Sequence, residues 1–294
     1  MRMSVGSLLA AGRRRSAAVA VVCIALCGIS FYVVPRFAAS VWGGRTVLPM
    51  LTGDRWQGSI GVRAMINGVP ADMSIAPGEE DTSVTETFGN GIGALNGRQA
   101  YATIGLGAYV RRRVPLLGSG TAARHAGGPD GIIGADLFTE WGGYAPARVT
   151  LDFERREIVV DDRRGRKRHA APPGSLAVSL SENPAGVWSI EAADPAGTAM
   201  QLPLLWGADT LVPEGFLRMF GPVRYTSRHA GLSQPKSIAI VIGGRAFHLT
   251  VRSYKGHPEL AGLGVDFLRQ FRVVMDYRDK LAYLEPPDSA PADD

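Results

Sequence analysis

"RVTLDFERREIVV", Arg148 to Val160, aligns without a gap on "RVVMDYRDKLAYL", Arg272 to Leu284. Each copy opens on Arg-Val, carries an Asp at its fifth position (Asp152, Asp276) and an aromatic at its sixth (Phe153, Tyr277), then passes through charged residues into a second apolar stretch. Apolar and polar residues alternate with the period of a strand, and the charged middle reads as the turn of a hairpin. One such hairpin says little about a fold. Two in one chain point to a repeated unit, which has to be recognised before any fold is assigned.

The repeat extends upstream. "GIIGADLFTEW", Gly131 to Trp141, and "AGLGVDFLRQF", Ala261 to Phe271, each place a Gly turn before a short amphipathic helix. Six extra residues, "GGYAPA", separate helix and hairpin in the first copy. Further back, "GVRAMINGVPADMSIAPGEEDTSV" (Gly61 to Val84) matches in position "WSIEAADPAGTAMQLPLLWGADTLV" (Trp188 to Val212), with Asn67-Gly68 and Asp194-Pro195 as hairpin turns. Each half therefore reads strand, turn, strand, Gly loop, strands, Gly turn, short helix, strand hairpin. The fold class expected is all-β with short helices: a first lobe over 57–160 and a second over 176–285. Between them "DDRRGRKRHAAPPGS", 161–175, combines charge, Pro and Gly without an apolar period and reads as a solvated basic linker. The tail, 286–294, is expected to be disordered.

Ala17 to Val34, "AAVAVVCIALCGISFYVV", is an uncharged run of 18 residues, long enough for a transmembrane helix. Arg2, Arg13, Arg14 and Arg15 precede it, so residues 1–16 are expected in the cytoplasm and everything after the span outside it. Residues 35–56 read as a linker. The rival is a cleaved signal peptide, with small residues at "FAAS", Phe37 to Ser40; the length of the run favours an anchor. Both cysteines, Cys23 and Cys27, lie in this run, which leaves no disulfide for the exported part.

With 294 residues, 46% hydrophobic and 20% charged, the chain can bury real cores. Its +5 net charge is concentrated in Arg13 to Arg15 and in "RRGRKRH", Arg163 to His169, and neither run has the interleaved aromatics of a nucleic-acid site. His125, His169, His229, His248 and His257 show no metal-ligand spacing and read as scattered surface residues. No Ser stands in a Gly-x-Ser-x-Gly elbow. "GNGIGALNG", Gly89 to Gly97, lacks the βαβ surroundings of a dinucleotide loop and reads as a flexible β loop. No metal or cofactor is expected.

The blocks "DGIIGADLF" and "LGVDFLRQFRVVMDY", with the paired Gly-acid-Thr loops before them, resemble the retropepsin-like and pepsin-like aspartic peptidases, in particular two-lobed membrane-anchored bacterial forms. The resemblance covers about residues 57–285, and the second copy departs from the motif at Ala261-Gly262-Leu263-Gly264. It implies two lobes with a cleft between them. In the family each lobe supplies one aspartate from an Asp-Thr-Gly loop, one acting as base on water and the other polarising the scissile carbonyl. Here Ile75 takes the apolar position, Ala76 the aspartate, Pro77 the threonine, Gly78 the glycine and Thr82 the later hydroxyl. In "LPLLWGADTLVPE" Gly207 sets the register, so Leu205 falls on the aspartate, or Trp206 if one residue is deleted. Neither half keeps its acid.

Asp81 and Asp209 each precede the loop threonine (Thr82, Thr210) and offer an alternative, displaced pair. In the family fold a carboxylate there is expected to brace the loop instead, through backbone or a neighbouring Arg. The resemblance thus implies a membrane-anchored, catalytically inactive aspartic-peptidase-like protein of the bacterial inner membrane, its lobes periplasmic. It would bind a protein or peptide partner, or serve as an accessory subunit of a membrane complex, with Leu205 and Trp206 making the cleft floor apolar. The rivals are an active endopeptidase using Asp81 and Asp209, and a scaffold with no ligand.

Overall fold

The computed structural model describes residues 44–51, 56, 59–76, 78–93, 100–119, 128–139, 145–162, 167–183, 186–204, 207, 209–225, 231–257 and 261–287. The apolar run 17–34, read as an anchor, lies outside them, and no helix within them is long and apolar enough to cross a membrane.

The repeated hairpins form the middle of the molecule. They are β8 (Arg148–Asp152) with β9 (Glu157–Asp161), and β15 (Arg272–Asp276) with β16 (Leu281–Glu285). β8 and β15 pair antiparallel in the register Arg148↔Asp276, Thr150↔Val274, Asp152↔Arg272. Thr150 and Val274 are the same position of the two copies, so an approximate twofold axis runs between them. The repeated Arg and Asp now have a reason. Arg148 Nε lies 2.9 Å from Asp276 Oδ2, and Arg272 Nε 3.8 Å from Asp152 Oδ2, all four side chains buried. Each half neutralises the other's charge.

One further strand flanks each hairpin: β1 (Arg45–Pro49) pairs with β9, and β10 (Leu176–Glu182) with β16. The linker reading of 35–56 is corrected here. Thr46 and Leu48 turn inward while Arg45, Val47 and Pro49 face out, an alternation too short to stand out beside the long apolar run. β1 is the first copy's counterpart of β10.

In the first lobe β2 (Gly61–Ile66), β3 (Val69–Ile75), β4 (Ser83–Thr85), β5 (Ala100–Leu106), β6 (Tyr109–Ser119) and β7 (Gly131–Ile133) close a barrel in the order β2-β3-β7-β4-β6-β5. In the second, β11 (Trp188–Ala193), β13 (Lys236–Ile242) and β14 (Arg245–Val251) continue the central sheet beyond β10, and β12 (Ala199–Pro203) pairs with β11. The counterparts of β4 and β7 are reduced to single bridges, Leu211↔Arg252, Leu211↔Gly262 and Leu204↔Leu263. Gly262 stands where the first copy has the β-favouring Ile132, which weakens the ladder.

The expected helices are short. Ala135–Leu137 is one 3₁₀ turn and α3, Val265–Leu268, one α turn, with Leu137, Phe138, Phe267 and Leu268 buried beneath them. The stretch from Gly89, read as a flexible loop, instead begins inside α1, Glu86–Gly91, which Thr85 caps by accepting the Phe88 N–H at 3.2 Å. Its counterpart is α2, Glu214–Met219. Aromatic packing joins the lobes where Phe138 stacks on Tyr277 at 6.2 Å, and within the second lobe Trp188 meets the same ring edge-on at 5.2 Å.

The linker 161–175 is only partly solvated. Asp161 ends β9, the Lys167 carbonyl accepts from Arg148 Nη2 at 2.9 Å, and His169 is buried against Glu285. Glu285, wholly buried, also receives Arg272 Nη1 at 2.7 Å. His169 is therefore no surface histidine. A basic run conceals it because the residues on either side are exposed.

Candidate functional site

The two Gly-acid loops leave the sheet at equivalent places. Ile75 bridges in parallel to Ile133, and Leu204 to Leu263. At the far end of each loop a buried threonine is held by the Gly turn and the Asp that follows it. Thr82 Oγ1 donates to Asp136 Oδ1 at 2.6 Å and accepts the Gly134 N–H at 3.1 Å. Thr210 Oγ1 does the same with Asp266 Oδ1 at 2.8 Å and the Gly264 N–H at 3.0 Å. The repeated Gly-x-Asp is thus the anchor of the loop that precedes it.

Between these fixed ends the loops differ in length. Seven positions separate Ile75 from Thr82, and six separate Leu204 from Thr210. Counting from the strand, Leu205 stands where Ala76 stands. Counting back from the threonine, Gly207 takes the place of Glu79: the Glu79 carbonyl accepts the Ala135 N–H at 2.6 Å, and the Gly207 carbonyl the Val265 N–H at 2.9 Å. The register that equates Gly207 with Gly78 is accordingly one residue off at its downstream end. Gly207 has φ of 113°, where a side chain would be strained. Pro77, Leu205 and Trp206 lie outside the described residues.

Ala76 is buried, its N–H bonded to the Ile133 carbonyl at 2.9 Å, and its own carbonyl turns back to accept the Glu79 N–H at 2.9 Å. Gly78 meets the second lobe. A Cβ at Gly78 would collide with the Leu204 backbone, and the Gly78 carbonyl accepts the Trp188 N–H at 3.0 Å. The structure therefore brings the first loop against the strand end from which the second loop departs. Two residues before that meeting point the buried Ala76 carries a methyl group, which can neither hold nor activate water.

The displaced acids have unlike surroundings. Asp209 is half-exposed and 3.6 Å from Arg252 Nε. Asp81 sits close enough to Asp136 and Glu80 to raise both by charge repulsion. No hydrogen bond or ion pair among the described residues joins Asp81 to Asp209.

Glu79 and Glu80, inside the motif but not singled out from sequence, are further acids of this loop, and Glu80 touches the inter-lobe seam. Glu80 lies against Gly186 of the second lobe, and burial, with Asp81 and then Glu182 nearby, raises its pKa. Glu79 has no hydrogen-bond or ion-pair partner for its carboxyl among the described residues, and burial pushes its pKa to about 7. Burial likewise lifts Asp136 to about 6 against the bond from Thr82. The sequence signal was a run of acids directly after the loop glycine. Among the described residues no group of His, Cys, Asp and Glu converges as a metal-binding set. Of the histidines, His257 packs edge-on to Tyr254, His248 lies on β14, and His125 and His229 fall outside the described residues.

This two-lobed arrangement has solved counterparts. The aspartic proteinase from Irpex lacteus superposes with a TM-score of 0.55 over 84% of this chain and 99% of its own, at 12% identity. The fold is aspartic-proteinase-like. No protein-family model and no curated protein matches the sequence. At that identity the likeness concerns architecture, and the chemistry has to be argued from the loops.

Proposed function

We propose that this chain is a catalytically silent aspartic-proteinase-like module that binds an extended protein or peptide segment between its lobes, alone or as a subunit of a membrane complex. Residues 17–34 hold it in the bacterial inner membrane with the lobes on the periplasmic side. The observation that carries the reading is Ala76. It occupies the strand-end position of the first loop, two residues before the Gly78 that packs on Leu204, and its sequence counterpart is Leu205. Aspartic-peptidase chemistry needs a carboxyl pair sharing a proton, and alanine and leucine at the two sequence positions carry no carboxyl to supply it. A cleft between β lobes can still hold a strand through main-chain hydrogen bonds. No metal or cofactor enters this reading.

The test is a peptide-library cleavage assay on purified full-length chain across acid and neutral pH. No cleavage is expected, and Ala76→Asp alone should not restore turnover, because one carboxyl lacks its partner. Cleavage by wild type that disappears in Asp81→Asn or Asp209→Asn, with the fold intact, would establish the displaced-acid peptidase instead. Topology is checked separately. Protease added to spheroplasts should digest the lobes, and their protection would overturn the periplasmic placement.

A further inference from the structure

We propose that the end of the central sheet carrying Arg45, Lys167, Arg168 and Arg278 docks on the anionic headgroups of the bilayer in which the N-terminal apolar segment sits. The inference rests on the anchor reading above. It begins from where the chain enters the described structure. Gly44 donates its N–H to Asp162 Oδ1 at 2.8 Å and accepts the Asp162 N–H at 3.4 Å, which ties the entry point to the end of β9. From there one row of paired residues crosses the sheet: Arg45↔Asp161, Arg148↔Asp161, Arg148↔Asp276. The β15–β16 turn with Arg278 follows directly, and Arg148 Nη2 holds the Lys167 carbonyl beside it.

The anions of this end are already engaged. Asp276 takes Arg148 at 2.9 Å and the backbone N–H groups of Arg278 and Asp279 at 3.1 and 3.2 Å. Asp162 holds Gly44, and Asp279 lies 3.9 Å from Arg168. Arg45, Lys167 and Arg278 are exposed and have no ion-pair partner among the described residues. Lys167, Arg168, Asp276, Arg278 and Asp279 line an open cavity of about 390 Å³, room for a phosphate headgroup facing the unpaired cations. Geometry supplies the partner. Nine residues, 35–43, separate the apolar run from Gly44 and span at most about 30 Å when extended. A handful of cations binds an anionic surface weakly, but a tether that short holds them at high local concentration, so the contact is populated.

The experiment places full-length chain in nanodiscs of phosphatidylcholine alone or with phosphatidylglycerol and follows acylation of Lys167 by a water-soluble reagent, read by mass spectrometry. Lys255, exposed in the second lobe, is the internal control. Lys167 should label about fivefold or more slowly in the anionic discs, with Lys255 unchanged, and about 0.5 M salt should abolish the difference. Arg168→Glu with Arg278→Glu, two exposed changes, should abolish it as well while Lys167 remains the reporter. Equal labelling in both lipids overturns the proposal, as does lipid-independent protection, which would mean that protein covers Lys167. Co-flotation with neutral vesicles in high salt tests the anchor by itself. A chain that does not float there loses the anchor reading and the docking with it, whereas one that floats without lipid-dependent protection loses only the docking.

Discussion

The central row and the Gly-acid loops belong to the same repeat, yet the row is matched in both copies and the loops are not. The difference follows from where each residue finds its partner. Arg148 is answered by Asp276 and Asp152 by Arg272, so a change in one half strands a buried charge in the other. The loop threonines close within their own half, Thr82 on Asp136 and Thr210 on Asp266. These anchors make no demand on the opposite half, and the loops differ in length by one residue although Gly78 packs on the Leu204 backbone. The twofold architecture is held by cross-lobe pairs, whereas each loop's threonine anchor is built within one half.

The strongest way to break that comparison is to remove one member of the row. Asp276→Ala leaves Arg148 buried without its carboxylate and should cost about 3–5 kcal/mol in urea denaturation. Asp152→Ala should cost less, about 1–2 kcal/mol, because Arg272 keeps Glu285 at 2.7 Å. Replacing both partners, Arg148→Met with Asp276→Leu, should come within about 1 kcal/mol of wild type if packing is kept. Equal losses for Asp276→Ala and Asp152→Ala would show that the two ends of the row are not distinguished as described.

Next come the loops. Gly78→Ala drives a methyl group into the Leu204 backbone and should cost about 1–3 kcal/mol, since rigid main chain must move. Gly207→Ala meets nothing among the described residues and pays for its φ of 113°, about 1 kcal/mol. A Gly78→Ala variant as stable as wild type would disprove the tight seam. Thr82→Val and Thr210→Val should each lose about 1–2 kcal/mol, alike in the two halves, because each strands a Gly N–H and removes one bond to an Asp. Unequal losses would mean that the shared anchor is not equivalent in the two loops.

The sequence disclosed the residues whose pattern repeats: the hairpins, the Gly-x-Asp anchors and the Asn67-Gly68 turn. It did not disclose what depends on a single contact. β1 has five residues and earns its place through β9 rather than through its own pattern. α1, "ETFGNG", contains two glycines and only a cap and the packing of Phe88 to sustain it. His169 is one buried position in a charged run. The one-residue shortening of the second loop became visible only from hydrogen bonds at both of its ends.

Glu79 separates the loops most directly, since Gly207 at the corresponding place has nothing to titrate. In the unfolded chain its carboxyl ionises near the ordinary value of 4.5, and in the folded chain near 7. Below pH 4.5 both states hold the proton and the group is neutral toward stability. As pH rises the unfolded state releases it first, so the folded state loses ground until the folded carboxyl also ionises, and the full penalty stands above pH 7. With part of the group in solvent, that penalty is on the order of 1–2 kcal/mol. Glu79→Gln should flatten the fall in stability between pH 4.5 and 7, leaving the smaller contribution of Asp136, which titrates near 6. Denaturation midpoints of wild type and Glu79→Gln at pH 5 and pH 8 suffice. If both chains lose the same stability between those values, the Glu79 carboxyl is solvated, and the buried acid of the first loop is absent.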